Sequence, residues 1–137
     1  MLPLVVGVVL ALAVGVFATV TGLDRDRAFY PVVMIVIAGI YGFFAILGQS
    51  THALVLDGLI GTVFVAVAVV GFKRSLWWTA AALAGHGMLD FVHASVVANP
   101  GVPAFWPAFC GAYDVVAAAY LAWLLQSGRL PSAPTTA

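Results

Sequence analysis

Hydrophobic residues run along this chain in five blocks, and the polar residues fall mostly in the short stretches between them. The blocks are roughly Leu2 to Leu23, Phe29 to Gly48, His52 to Phe72, Leu76 to Ala98 and Phe105 to Gln126. A hydrocarbon core about 30 Å thick takes about 20 helical residues to cross, so each block is long enough. Short connections predict that neighbours in sequence pack as antiparallel helical hairpins. The expected fold class is therefore all-α: a polytopic membrane bundle of five transmembrane helices, forming a single domain over residues 1–130. The remaining tail, residues 131–137, is small, polar and Pro-containing, and is expected to be disordered.

Charge sets the orientation of these blocks. Arg25 and Arg27 lie between the first and second, Lys73 and Arg74 between the third and fourth, and Arg129 after the fifth. All the Lys and Arg residues thus fall on one side, which is the cytoplasmic side by the positive-inside rule. The N-terminus is then outside and the C-terminus cytoplasmic. The first block lacks a basic leader and is too long for the apolar region of a signal peptide, so it reads as a retained span.

Composition narrows the class of molecule. Of 137 residues, 64% are hydrophobic, with 5 Lys or Arg against 5 Asp or Glu. That is membrane-protein usage, and it leaves no basic patch for nucleic acid. The bilayer itself is the partner the composition implies. The single cysteine, Cys110, excludes an intrachain disulfide, and there is no Cys-x-x-Cys or Cys/His zinc spacing. No lipidation motif is present.

Several local patterns carry packing expectations. Gly7, Ala11, Gly15, Ala18 and Gly22 form a small-residue stripe that lets helix backbones approach closely, either within the chain or as the seam of a homo-oligomer. Asp24-Arg25-Asp26-Arg27 reads as a charged turn that anchors the loop in water. Ala28-Phe29-Tyr30-Pro31 and Ala104-Phe105-Trp106-Pro107 both put Pro in a first helical turn behind interfacial aromatics. If they mark related halves, the first two and last two spans would be inverted repeats of the kind found in transporters. Trp77-Trp78 form an aromatic belt at the cytoplasmic interface.

The chemistry concentrates in Gly85-His86-Gly87-Met88-Leu89-Asp90-Phe91-Val92-His93. At about 100° per residue, His86, Asp90 and His93 fall within roughly 60° of one another on one helix. Ionisable groups inside a membrane are costly and are tolerated only facing protein, water, a metal or one another. Depth at about 1.5 Å per residue puts His86 near mid-membrane and Asp90 about 6 Å further out. Cys110 then lies level with Asp90 and Asp114 level with His86. Asp57 falls in the outer third, and Tyr113 and Asp114 share the Cys110 face. Every intramembrane acid and imidazole sits in the outer half, while the inner half is apolar or small. The expectation is an outward-facing pocket between the third, fourth and fifth spans.

Three readings of that pocket follow. As a metal site, it would draw on His86, Asp90, His93, Asp114 and Cys110 for a divalent transition metal, with zinc, iron or copper suited to imidazole and carboxylate. As a relay for protons or a small solute, it would use His86, Asp90, His93, Asp114, Asp57 and Tyr113. Five spans are few for a complete permeation path, so transport calls for an oligomer. The third reading is a non-catalytic accessory subunit of a larger membrane complex, whose polar groups specify packing. A metal-dependent membrane hydrolase is a further alternative, but neither Ser50 nor Ser95 sits in a nucleophile context, and the chain leans away from being an enzyme.

The run Gly85-His86-x3-Asp90-x2-His93, the following turn, and Trp106-Pro107-x2-Cys110-x3-Asp114-x5-Tyr120 resemble a pattern found in small multipass bacterial membrane proteins of unknown function. The resemblance covers about the last third of the chain. It implies the bacterial inner membrane as the location and His86, Asp90, His93, Cys110 and Asp114 as a shared polar set. It implies no activity.

Overall fold

The computed structural model describes residues 1–134, which form five helices and no strand. These are α1 (Leu2–Thr21), α2 (Phe29–Leu47), α3 (Thr51–Lys73), α4 (Leu76–Val96) and α5 (Trp106–Gln126). Their bounds agree with the five hydrophobic blocks to within two residues. Gly22 ends α1 in the left-handed conformation at φ 79°, which a residue without a Cβ adopts freely. Ser50 caps α3 by accepting from the Ala53 N–H at 3.2 Å, and Pro31 and Pro107 lie in the first turns of α2 and α5.

Helices α1, α2, α3 and α5 are long and apolar enough to cross a membrane, and helices of that kind mark a membrane protein. Helix α4 is as long but is not among them. Its sequence is diluted by the polar groups of the Gly85–His93 stretch, and these are turned inward: His86, Asp90 and His93 are all buried, as is Thr79 nearer the start of the helix. Helix α4 packs against α5, α3 and α2, so its polar face meets protein on three sides.

Not every sequence neighbour pairs. The expected hairpins form for α2–α3, α3–α4 and α4–α5, but α1 packs on α5 and scarcely touches α2. The small-residue stripe explains this correction. Gly7 lies directly against the Phe109 carbonyl and Gly15 against the Tyr120 ring, so the stripe is used within the chain, against the last helix. Since α1 and α2 do not pair as α4 and α5 do, the two halves are not packed as inverted copies. The α1–α2 gap leaves an apolar groove of about 520 Å³ lined by residues such as Leu10, Val36, Phe109 and Tyr113.

The α1–α2 loop also departs from expectation. Arg25 and Asp26 are exposed, but Asp24 and Arg27 are buried. Thr19 donates to Asp24 at 2.8 Å and Tyr120 donates to Thr19 at 3.1 Å. Arg27 Nη2 donates to the Ser132 carbonyl at 3.0 Å, and the Leu76 N–H donates to the same oxygen at 2.8 Å. The expected tail is thus held at Ser132, and its residues 135–137 lie outside those described. With Thr79 and Tyr30 also buried, this end of the bundle carries hydroxyl groups and is not purely apolar.

Close approach of α2 and α3 depends on one glycine. A Cβ at Gly61 would meet the Ala38 carbonyl oxygen at 2.5 Å, whereas one at Gly58 would meet nothing within 4 Å. Gly61→Ala is expected to lower stability by about 1–3 kcal/mol through overpacking. Gly58→Ala should be neutral or gain up to about 1 kcal/mol from helix propensity. Thermal unfolding in mild detergent compares the two; equal shifts would contradict the α2–α3 contact.

Candidate metal centre

Helices α4 and α5 come together where both lack side-chain bulk. A Cβ at Gly87 would meet the Gly111 carbonyl at 2.9 Å and the Asp114 Cβ at 3.0 Å. That approach lets the side chains on either side of Gly87 reach across. His86 Nδ1 lies 2.8 Å from Asp114 Oδ2, and an N–H there donates to an ionised carboxylate. One helical turn on, Asp90 Oδ2 lies 3.5 Å from the same nitrogen. His86, Asp90 and Asp114 are 2%, 1% and 0% exposed. Each offers one ligand atom, all within 4.8 Å of one another. The Phe64 ring from α3 stands edge-on to His86 at 4.9 Å.

The hydrogen bonding of this cluster is incomplete. Both oxygens of Asp90 and Oδ1 of Asp114 are buried without a hydrogen-bond partner. The Tyr41 hydroxyl from α2 is buried, lacks a partner, and faces Asp90, as does the Cys110 thiol. Buried polar groups are nearly always satisfied in native proteins, and an uncompensated buried carboxylate is far more costly than an unpaired amide. Together with His86 Nδ1, these oxygens could hold a metal ion.

The remaining candidates separate from the triad. His93 Nε2 lies 2.8 Å from Asp57 Oδ1 on α3. Asn99 Nδ2 donates to Asp57 Oδ2 at 2.8 Å and to the Tyr41 carbonyl at 3.0 Å. The Tyr41 ring stacks on His93 at 3.8 Å with an interplanar angle of 14°. So the stripe of His86, Asp90 and His93 on α4 serves two neighbours: α5 at one level and α3 one turn further on. The depth reckoning put Asp114 beside His86 and Cys110 beside Asp90, and both are found there. Cys110 and His93 are not among the converging ligand atoms. Tyr113 lines the apolar α1–α2–α5 groove.

Two participants were not foreseen from sequence. Tyr41 looks like one more aromatic in an apolar span, and Asn99 like an ordinary turn residue before Pro100. The triad is also closed, where an open pocket was expected. Hollows at the surface reach His93 and Asp57, and the three metal candidates lie behind them.

No protein-family model matches this chain, and no characterised protein and no solved structure matches it. The geometry of the site therefore carries the functional argument.

The unequal pairing of the two α4 carboxylate partnerships has a measurable result. In metal-free detergent, Asp90→Asn should leave the melting temperature unchanged or raise it, because it removes a buried carboxylate whose oxygens complete no direct hydrogen bond. Asp57→Ala, which strands both His93 and Asn99, should cost about 3–5 kcal/mol. A large loss of stability in Asp90→Asn would show that its carboxylate is already satisfied by the protein.

Proposed function

We propose that this chain is an integral membrane protein of five spans, N-terminus outside, that holds a divalent transition metal cation at His86, Asp90 and Asp114. One observation supports the reading above all: three carboxylate oxygens without hydrogen bonds, buried together around an imidazole. Charge balance favours a divalent ion. Two carboxylates and a neutral imidazole carry two negative charges, and a doubly charged cation makes the site neutral in a medium where net charge is expensive. Imidazole with carboxylate suits zinc, iron or copper. Three protein ligands leave a coordination position for water or a solute. The Tyr41 hydroxyl is well placed to orient Asp90 from behind, as groups around metal ligands commonly do.

A second reading rests on the 2.8 Å contact between His86 and Asp114. With His86 protonated and one proton on the Asp pair, the cluster is again neutral, and it would then exchange protons. An accessory role in a larger complex, or a homo-oligomer, is compatible with either ion. The positive-inside arrangement of Arg25, Arg27, Lys73, Arg74 and Arg129 supports the orientation.

The deciding experiment is elemental analysis of the full chain purified in mild detergent without chelator, beside an Asp90→Asn/Asp114→Asn variant. Near-stoichiometric metal in the wild type, lost in a variant that still melts cooperatively, is the expected result. No metal in either, with pH-dependent proton uptake in proteoliposomes that Asp114→Asn abolishes, would replace the metal reading with the proton one. Orientation has its own test: a phosphatase reporter, active only outside the cytoplasm, should be silent when fused after Ala137, and activity there would reverse the topology.

A further inference from the structure

We infer that the cation exchanges through the end of the bundle where α4 stops and α5 starts, with Tyr41 as the plug and Asp57, His93 and Asn99 as the latch that holds it shut. The inference rests on the cation site proposed above and adds its route of access.

The two sides of the triad along α4 and α5 differ. Toward the start of α4, the next layers are Leu83, Leu121 and Leu124, all fully buried. A hydrated or partly stripped ion finds no ligand there, and close-packed apolar side chains do not part cheaply. Toward the end of α4, one turn beyond Asp90, stand Tyr41, His93, Asp57 and Asn99. A hollow of about 440 Å³ reaches His93 and Asn99 between Pro100, Pro103 and Pro107. A second, of about 320 Å³, reaches Asp57 between α2 and α3 beside Gly58 and Gly61. Polar groups thus run from the triad to the surface toward the end of α4, whereas on the other side the leucine layer comes before the hydroxyls of Thr79 and Tyr30.

Tyr41 is what interrupts that continuity. Its ring covers His93 at 3.8 Å on one side, and its hydroxyl faces Asp90 on the other. The buried hydroxyl rests against Asp90 without completing a direct hydrogen bond to it, so a cation taken up by Asp90 would change what the tip of the side chain meets. A second hold is at the base. Asn99 donates to the Tyr41 carbonyl at 3.0 Å and, with the same amide nitrogen, to Asp57 at 2.8 Å. Asp57 in turn fixes His93 at 2.8 Å, and His93 carries the stack. Each of these groups sits on a different element: Tyr41 on α2, Asp57 on α3, His93 on α4 and Asn99 in the α4–α5 turn. With its backbone carbonyl tied by Asn99 and its hydroxyl resting on Asp90, the Tyr41 side chain is suited to swing aside once the latch opens, uncovering Asp90 to the hollow. A ring that merely filled space would need neither the Asn99 bridge nor the acid–imidazole pair beneath it.

The test uses cobalt(II) as a visible stand-in for a zinc-like ion, added to the full chain in detergent and removed with excess chelator, with the d–d absorption followed by stopped flow. Tyr41→Ala should accelerate uptake and release roughly tenfold or more while the amount bound at saturation stays near one per chain. Asn99→Ala, in the turn and less disruptive to fold, should accelerate both by roughly fivefold, the factor an ordinary hydrogen bond carries. Tyr120→Phe, which removes a hydrogen bond to Thr19 at the opposite end, should leave both rates unchanged. Wild-type rates in Tyr41→Ala and Asn99→Ala would overturn the plug, as would equal acceleration by Tyr120→Phe, which would indicate general loosening. Wild-type protein that takes up no cobalt would remove the site itself. Loss of cobalt binding in Asp90→Asn under the same conditions keeps failure of the site distinct from failure of the route.

Discussion

Ionisable side chains in a low-dielectric bundle must be neutralised where they stand, and this requirement governs how the helices are arranged. Helix α4 carries two imidazoles and a carboxylate on one stripe, and that stripe is covered by α2, α3 and α5. Its other face, with Met88, Phe91 and Val92, is apolar and exposed, as are the outer faces of the other helices. Glycines at 87 and 111 bring α4 and α5 close enough for His86 to reach Asp114, and Gly61 does the same service for α3 against α2. The packing follows from the polar groups as much as from the apolar ones, because a helix bearing them is tolerated only where other helices cover it.

Within that frame the two acid–imidazole groups are treated differently. Asp57 is saturated: one oxygen takes His93 and the other Asn99. Asp90 is left with both oxygens free of hydrogen bonds, and Asp114 with one. Two carboxylates of similar burial, one turn of α4 apart in level, therefore differ in what they do for the fold. The saturated one ties α3 to α4 and to the following turn. The unsaturated ones, with His86 Nδ1, make a group that could hold a metal ion. This contrast separates the pair that ties helices together from the candidate site more sharply than residue type does.

The sequence made much of this legible, for reasons that also mark its limits. Five apolar blocks of bilayer length became five helices, because length and polarity are local properties. Counting rise per residue placed Asp114 opposite His86 and Cys110 beside Asp90, because antiparallel helices joined by a short turn have little freedom of level. Facing partners across the bundle were not legible. The stripe of His86, Asp90 and His93 names a face of α4 but does not say that α5 meets its first part and α3 its last. The small-residue stripe on α1 announces a close partner without identifying α5. Tyr41 gave no signal, since an aromatic in an apolar span is ordinary until its neighbours are known. Asp24 and Arg27 were expected in water because charge in a loop usually is, whereas here the loop folds under Thr19 and Ser132.

The placement of α1 against α5 also has a temporal side. Helix α1 ends at Thr21 and α5 begins at Trp106, so the two contact surfaces emerge from the ribosome far apart. At about 5–20 residues per second, α1 waits roughly 4 to 17 s in the bilayer before synthesis of α5 begins. During that interval its glycine face is open to lipid and to any other helix with a matching groove, including α5 of a chain completed nearby. A first helix supplied by a neighbouring chain could satisfy the same contacts, since α1 packs on α5 and little on α2. Dense synthesis would then favour exchange of α1 between chains over docking within one.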